Sequence, residues 1–239
     1  MSVVVFDVDD TLYEQRIPFE MAIKANFGTK SWFDDTIFLP TLYRLFRYHS
    51  DIAYANVIAG VLSLHDMRVL RIKQTLKDIG VEITDSECES FQACYLHEQT
   101  KIVVHPEMIK LLNILKDKNI STSILTNGPT DHQELKLSRL NLVKWIDEEA
   151  HHISESIGYS KPDATAFKMV EKSHPNETDF LYVGDSYDND VVGAKSAGWK
   201  VIWLNKNNKR LTPEMFEPDV ELDSYENIIE TVLGLLQEE

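Results

Sequence analysis

Near the start of the chain, Asp7, Asp9 and Asp10 crowd together, with a hydroxyl following at Thr11. In an extended chain alternate side chains share a face, so Asp7 and Asp9 project together while Val8 turns away. Acids held that close repel, and one of them keeps its proton to higher pH. The arrangement is useful beside a divalent cation, or where one acid must deliver a proton. Alone, it would read as an acidic turn with Thr11 capping a helix. What argues otherwise is the run Val3-Val4-Val5-Phe6 that leads into it. An apolar stretch rich in β-branched residues, without a polar face, is a strand buried on both sides.

Other groups with chemical potential lie far along the chain. Thr126-Asn127-Gly128 offers a hydroxyl and backbone amides, Lys161 stands in Ser160-Lys161-Pro162-Asp163, and Gly184-Asp185-Ser186 is followed by Asp190. Each has an ordinary reading by itself: a turn, a solvated loop lysine, and a strand end with a helix cap. Their order matters more than any one of them. In an open parallel sheet, ligands bind beyond the carboxyl ends of the strands, and these groups follow successive strand-like segments.

Those segments are Ser121 to Thr126, a short strand around Ile153, Phe180 to Val183, and Lys200 to Leu204. Helical patterns separate them: Pro106 at a first turn with Met108, Leu111, Leu112 and Leu115 behind it, a helix through Leu137 and Leu140, then Ala164 to Ser173 and Val191 to Ala197. A last helix carries Ile228, Ile229, Val232, Leu235 and Leu236. Strands alternating with helices predict an α/β fold, a Rossmann-like parallel sheet covered on both faces. From Phe19 to Thr100 the spacing is helical throughout, which predicts an all-helical module of four or five helices inserted after the first strand. Within it, Asp51 to Leu64, with Ile52, Ala53, Val57, Ile58, Val61 and Leu62, is apolar enough to be expected at the bundle's centre. Thr84 and Glu87 form a capping box. The expected division is residues 1–14 and 101–239 as the core, and 15–100 as the helical module.

The 239 residues suffice for a large buried core. A formal charge of −15 argues against phosphate-backbone binding, so no nucleic-acid partner is expected. It leaves room for small phosphorylated ligands, because a metal and a few cations reverse the field at one site. Cys88 and Cys94, six positions apart in a helical segment, face different ways, which suits unpaired thiols in a reducing compartment. With no basic leader and no long apolar stretch, the expectation is a cytoplasmic protein without a membrane span, monomeric or homodimeric. Dinucleotide binding is disfavoured, since the first strand leads to acids and not to a GxGxxG turn.

The combination Asp7-x-Asp9-x-Thr11, Thr126-Asn127, Lys161-Pro162 and Gly184-Asp185-Ser186-x-x-x-Asp190 resembles the four motifs of the haloacid dehalogenase-like hydrolase superfamily. The resemblance covers about residues 1 to 14 and 101 to 205, and the helical insertion sits where that superfamily carries a mobile cap. It implies a magnesium-dependent phosphomonoesterase acting on a small phosphorylated metabolite. Asp7 would attack phosphorus to form an aspartyl-phosphate, and Asp9 would serve as acid and then base. Magnesium would be held by the Asp7 carboxylate, the Asp9 backbone carbonyl and Asp185. Thr126, Asn127 and nearby amides would bind phosphoryl oxygens, with Lys161 offsetting the charge. Asp190 would orient Lys161 or a metal-bound water, and Ser186 would belong to the metal's outer shell or, the preferred reading, cap a helix.

Dehalogenation has no alkoxide to protonate, so Asp9 favours phosphate esters over that rival. A phosphomutase would use the same residues, and a regulatory phosphate binder would be expected to lack one of them. For the substrate, Thr126 to Gln133 followed by Lys136, Leu137 and Leu140, together with Asp10-Thr11-Leu12-Tyr13, resembles the branch of bacterial nucleoside 5′-monophosphate phosphatases, with sugar phosphates as the alternative. The module's aromatics Phe19, Trp32, Phe33, Tyr43 and Tyr48 could offer a stacking face, at most one or two of them being free. Arg16, Arg44, Arg47 and His49 are candidate substrate contacts as cations or donors in an acidic chain.

Overall fold

The computed structural model describes residues 2–212 and 216–237. The chain forms two compact units, Met1–Glu14 with Ile102–Glu239, and Gln15–Lys101.

The first unit is built on a six-stranded parallel sheet in the order β3-β2-β1-β4-β5-β6. The strands are β1 (Ser2–Phe6), β2 (Ser121–Thr126), β3 (His151–Ile153), β4 (Asp179–Gly184), β5 (Lys200–Leu204) and β6 (Val220–Leu222). Strand β1 lies between β2 and β4, with Val5 beside Ser123 on one side and Tyr182 on the other. Val3 and Val5 enter one apolar layer with Phe167, Tyr182 and Trp203. Val4 and Phe6 enter the opposite layer with Leu111, Leu112 and Ile228. Both faces are therefore covered, which is why β1 has no polar register. Each fully buried side chain of this size contributes about 1.5–3 kcal/mol.

Helices α5 (Pro106–Asp117) and α10 (Ile228–Gln237) supply the layer against Val4 and Phe6, and α8 (Ala164–Ser173) and α9 (Val192–Ser196) the other. Helix α6 (Thr130–Arg139) and the short α7 (Ser154–Ile157) follow β2 and β3. Because β2 and β3 lie on one side of β1 and the later strands on the other, the strand order reverses between β1 and β4. At such a switch point in an open parallel sheet, loops diverge and ligands bind at the carboxyl ends. Edge strand β6 was not foreseen: Val-Glu-Leu is too short for a period-2 signal.

The second unit holds α1 (Arg16–Phe27), α2 (Asp35–Ile58), α3 (Leu64–Asp78) and α4 (Asp85–Glu98). Thr84 and Glu87 form the expected capping box. The expected bundle centre is corrected. Helix α2 stops at Ile58, Gly60 takes a left-handed conformation, and Ser63 caps α3, so Asp51 to Leu64 is not one element. Ile52 is 49% and Val61 76% exposed, and the Ile58 side chain lies outside the described residues. The centre is aromatic instead. Phe91 is fully buried, with its ring against Phe19, Phe27, Phe46 and Tyr95. Phe91→Ala should therefore cost about 3–5 kcal/mol of stability. Urea unfolding checks this; a loss below about 1 kcal/mol would mean that the cluster repacks without it.

Arg71 lies over the Phe46 ring at 4.4 Å and donates to Gln92 Oε1 at 3.0 Å. Burial lowers its pKa to about 10. Both cysteines are free. Among the described residues, no helix is long and apolar enough to cross a membrane.

Candidate active site

Strand β1 delivers Asp7 with its backbone still in the sheet, the Asp7 amide donating to the Val183 carbonyl at 2.9 Å. The chain then turns sharply, Leu12 N donating to Val8 O at 3.0 Å, and Asp10 takes φ 57°. That left-handed conformation is unfavourable for a residue with a Cβ. It is held from two other elements: Lys206 Nζ and the Tyr225 hydroxyl donate to the Asp10 carbonyl at 2.6 and 3.3 Å. Thr11 does not cap a helix; its buried hydroxyl donates to Asp7 Oδ2 at 3.4 Å.

Lys161 reaches the same place from the loop before α8. Its ammonium donates to Asp7 Oδ1 and Asp190 Oδ1, both at 2.7 Å, and to the Tyr182 hydroxyl at 2.8 Å. Tyr182 in turn donates to the Leu125 carbonyl. Lys161 is buried, so it is not a solvated loop lysine. The Asn127 side chain explains how the loop is held. Its amide donates to the Lys161 carbonyl and its oxygen accepts from the Lys161 amide, both at 2.9 Å. The Asn127 side chain thus ties the end of β2 to the Lys161 backbone. Thr126 ends β2, buried beside Ile153. The Gly128 amide is taken by Ser154 Oγ at 3.0 Å, and the Thr130 amide by Glu155 at 2.7 Å.

Beyond β4, Asp190 is fully buried, with its second oxygen accepting from the Ser186 amide at 2.9 Å. It packs so tightly against Gly184 that a Cβ there would lie 2.3 Å from Asp190 Oδ2. Glycine is thus required by close approach. Ser186 accepts from the Asn189 amide, the capping role expected of it.

Asp7, Asp185 and Asp190 each place an oxygen within 4.8 Å of one another. Burial pushes the Asp7 carboxyl up to about 7, against the pull of Lys161, with Asp190 and Asp9 adding to the rise. Burial disfavours the Lys161 ammonium, but Asp190 and Asp7 outweigh it and hold its pKa above the ordinary range. Three carboxylates and one ammonium leave two negative charges when all are ionised. An all-oxygen donor set with that excess suits a hard divalent cation such as magnesium.

Asp9 has partners of its own. Its carboxylate is gripped by Lys136 Nζ, 2.7 and 2.6 Å from its two oxygens, with Gln133 at 3.3 Å and the Tyr13 hydroxyl also donating to it. Gln133 and Lys136 belong to the stretch whose resemblance bears on substrate, and no contact with Asp9 was expected of them. Their signal was the i, i+3 spacing of two polar residues on a buried face of α6, just after Thr126-Asn127-Gly128.

Of the candidate contacts in the helical unit, Arg16 pairs with Glu20, Arg47 with Gln15 and Asp51, and His49 with Asp78, while Arg44 is exposed. Phe19 and Tyr43 are buried in that unit's core and Trp32 and Phe33 pack against it. Tyr48 is 58% exposed.

The profile of the haloacid dehalogenase-like hydrolases matches residues 1–198. Among curated proteins, the pyrimidine 5′-nucleotidase YjjG of Escherichia coli is 31% identical over 47% of this chain, and the match spans about half (49%) of that relative's length. The phosphoserine phosphatase of Thermus thermophilus is 25% identical over 92% of this chain and 94% of its own. The glyceraldehyde 3-phosphate phosphatase of Methanocaldococcus jannaschii is 27% identical over 55% of this chain and 57% of its own. Among solved structures, the Bacillus subtilis HAD-hydrolase YfnB bound to magnesium superposes with a TM-score of 0.70 at 22% identity, over 97% of this chain and 98% of its own.

Proposed function

As the chain belongs to the haloacid dehalogenase-like hydrolases, we propose that it is a magnesium-dependent phosphatase of a small phosphorylated metabolite, with Asp7 as nucleophile. The observation that carries this is the buried Asp7 bound to Lys161 beside Asp185 and Asp190, with a second acid, Asp9, two residues further on.

Asp7 attacks phosphorus, the ester oxygen leaves, and an aspartyl-phosphate forms; water then releases phosphate and restores Asp7. Asp9 gives a proton to the leaving oxygen and takes one from the attacking water, so it ends as it began. Lys161 holds Asp7 in place and stabilises charge developing on the phosphoryl oxygens. Thr126 and Asn127 provide further donors. Asp7, Asp185 and the Asp9 carbonyl are the residues that would hold magnesium, whose charge polarises the phosphoryl group. Asp190 orients Lys161.

Phosphate release from a metabolite panel, measured with and without chelator, tests the reading; release unaffected by chelator would overturn the metal requirement. A second readout does not depend on turnover. Burial keeps a proton on Asp7 up to about pH 7 without metal, and a cation binds only the carboxylate. Metal binding therefore releases that proton and tightens as pH rises. Magnesium should raise the unfolding temperature more at about pH 8 than at about pH 6. Equal shifts would argue that Asp7 is not a ligand.

Within this reading the substrate is a short phosphorylated metabolite of the sugar-phosphate kind, ahead of a nucleoside 5′-monophosphate. The phosphoserine phosphatase, matched over 94% of its length, supports a short metabolite, and the glyceraldehyde 3-phosphate phosphatase supports the sugar-phosphate kind; the nucleotidase is matched over 49% of its length. The buried aromatics of the helical unit also weaken the case for base stacking. A nucleotide exceeding every sugar phosphate tenfold in kcat/KM, about 1.4 kcal/mol of transition-state preference, would reverse this order.

A further inference from the structure

We infer that Lys136, assisted by Gln133, is a positioning residue that fixes the Asp9 carboxylate for proton transfer; this rests on the phosphatase reading, in which Asp9 is acid and base. Lys136 is only 2% exposed, although its chain could have carried the charge to solvent. A buried ammonium is costly unless paired in good geometry. Here it reaches both Asp9 oxygens, at 2.7 and 2.6 Å.

Gln133 supplies a second tether. Its Nε2 donates to Asp9 Oδ2 at 3.3 Å and to the Asn127 carbonyl at 2.7 Å. It lies against Gly128, where a Cβ would come within 2.7 Å of Nε2. The tether thus links the acid to the segment that carries Thr126 and Asn127. Tyr13 donates to Oδ1 from within the β1 loop. A free aspartate samples several rotamers, whereas one gripped on both oxygens keeps a single one. Misplacing a reacting group by about 1 Å can cost on the order of 10²-fold. Lys136 touches no reacting atom in this scheme and neither gains nor loses a proton; it acts through Asp9.

The test compares wild type, Asp9→Asn, Lys136→Met, the double variant and Lys136→Arg, on glycerol 2-phosphate and on p-nitrophenyl phosphate. The latter has a leaving group that needs little protonation. Lys136→Met should lower kcat about 10- to 100-fold on glycerol 2-phosphate, a part of the general acid–base contribution, with KM nearly unchanged and a smaller loss on the aryl ester. In the Asp9→Asn background, followed on the aryl ester, it should add nothing, because residues acting as one unit are not additive. Lys136→Arg should recover part of the rate. If Lys136→Met does not fold, Gln133→Met takes its place and should show the same leaving-group bias.

Unchanged kcat in a folded Lys136→Met protein, or equal losses on both substrates that multiply with Asp9→Asn, would overturn the positioning role alone. An inactive wild type, or Asp9→Asn equal to wild type on glycerol 2-phosphate, would overturn the phosphatase reading and this inference with it.

Discussion

Asp7→Asn should give a folded protein whose kcat is reduced by a factor on the order of 10⁴ or more, the scale of nucleophile removal in covalent hydrolases. An amide neither attacks phosphorus nor binds a hard cation well, so both of the functions proposed for Asp7 disappear together. Folding should survive, because the backbone hydrogen bond from Asp7 to Val183 does not involve the side chain. Asparagine also relieves the repulsion among Asp7, Asp9 and Asp190 that helps raise the Asp7 pKa. The metal-free variant should accordingly be at least as stable as wild type above about pH 7, where the native aspartate must ionise. Single-turnover phosphate release and calorimetry check the two halves separately. Wild-type turnover by the folded variant would falsify the nucleophile assignment.

Lys161→Met should lower kcat about 10²- to 10³-fold, the loss for one preorganised electrostatic donor. It should also destabilise the protein by about 3–5 kcal/mol, because it strips a buried ammonium from two buried carboxylates. Asp7 and Asp190 then face each other without a counter-charge, and Tyr182 loses the donor that now contacts its hydroxyl. The pH dependence gives the sign. Burial and like charge raise the folded carboxyl pKa above its unfolded value, so the folded state binds more protons between the two values. Stability of the metal-free variant should fall as pH rises across that window, more steeply than in wild type. A solvated lysine would show neither loss, and an unaltered pH profile of stability would deny the buried cluster its strain.

These effects differ in how visible they were beforehand. Residues 3 to 6 have no polar register, so β1 had to be buried on both faces, and the acids after it had to emerge at a strand end. Lys161 and Gly184-Asp185-Ser186 were legible for the same reason: in a parallel sheet every strand ends on one rim, so order along the chain becomes proximity in space. Helical spacing likewise marked out the inserted unit from Phe19 onward.

Which polar groups touch was not legible, because a contact between residues far apart in sequence leaves no period. The Asn127 side chain holds the Lys161 backbone from the end of β2. Asp9 meets Lys136 and Gln133 of α6. Asp10 keeps a left-handed turn because Lys206 and Tyr225 hold its carbonyl. The centre of the helical unit also escaped the pattern, since apolar content in Asp51 to Leu64 does not say which face finds a partner. The succession of strands and the burial of β1 follow from local apolar patterning; the order of the strands in the sheet and the Asp7–Lys161–Asp190 and Asp9–Lys136 pairings follow from tertiary packing, because only there do charges removed from water have to find one another.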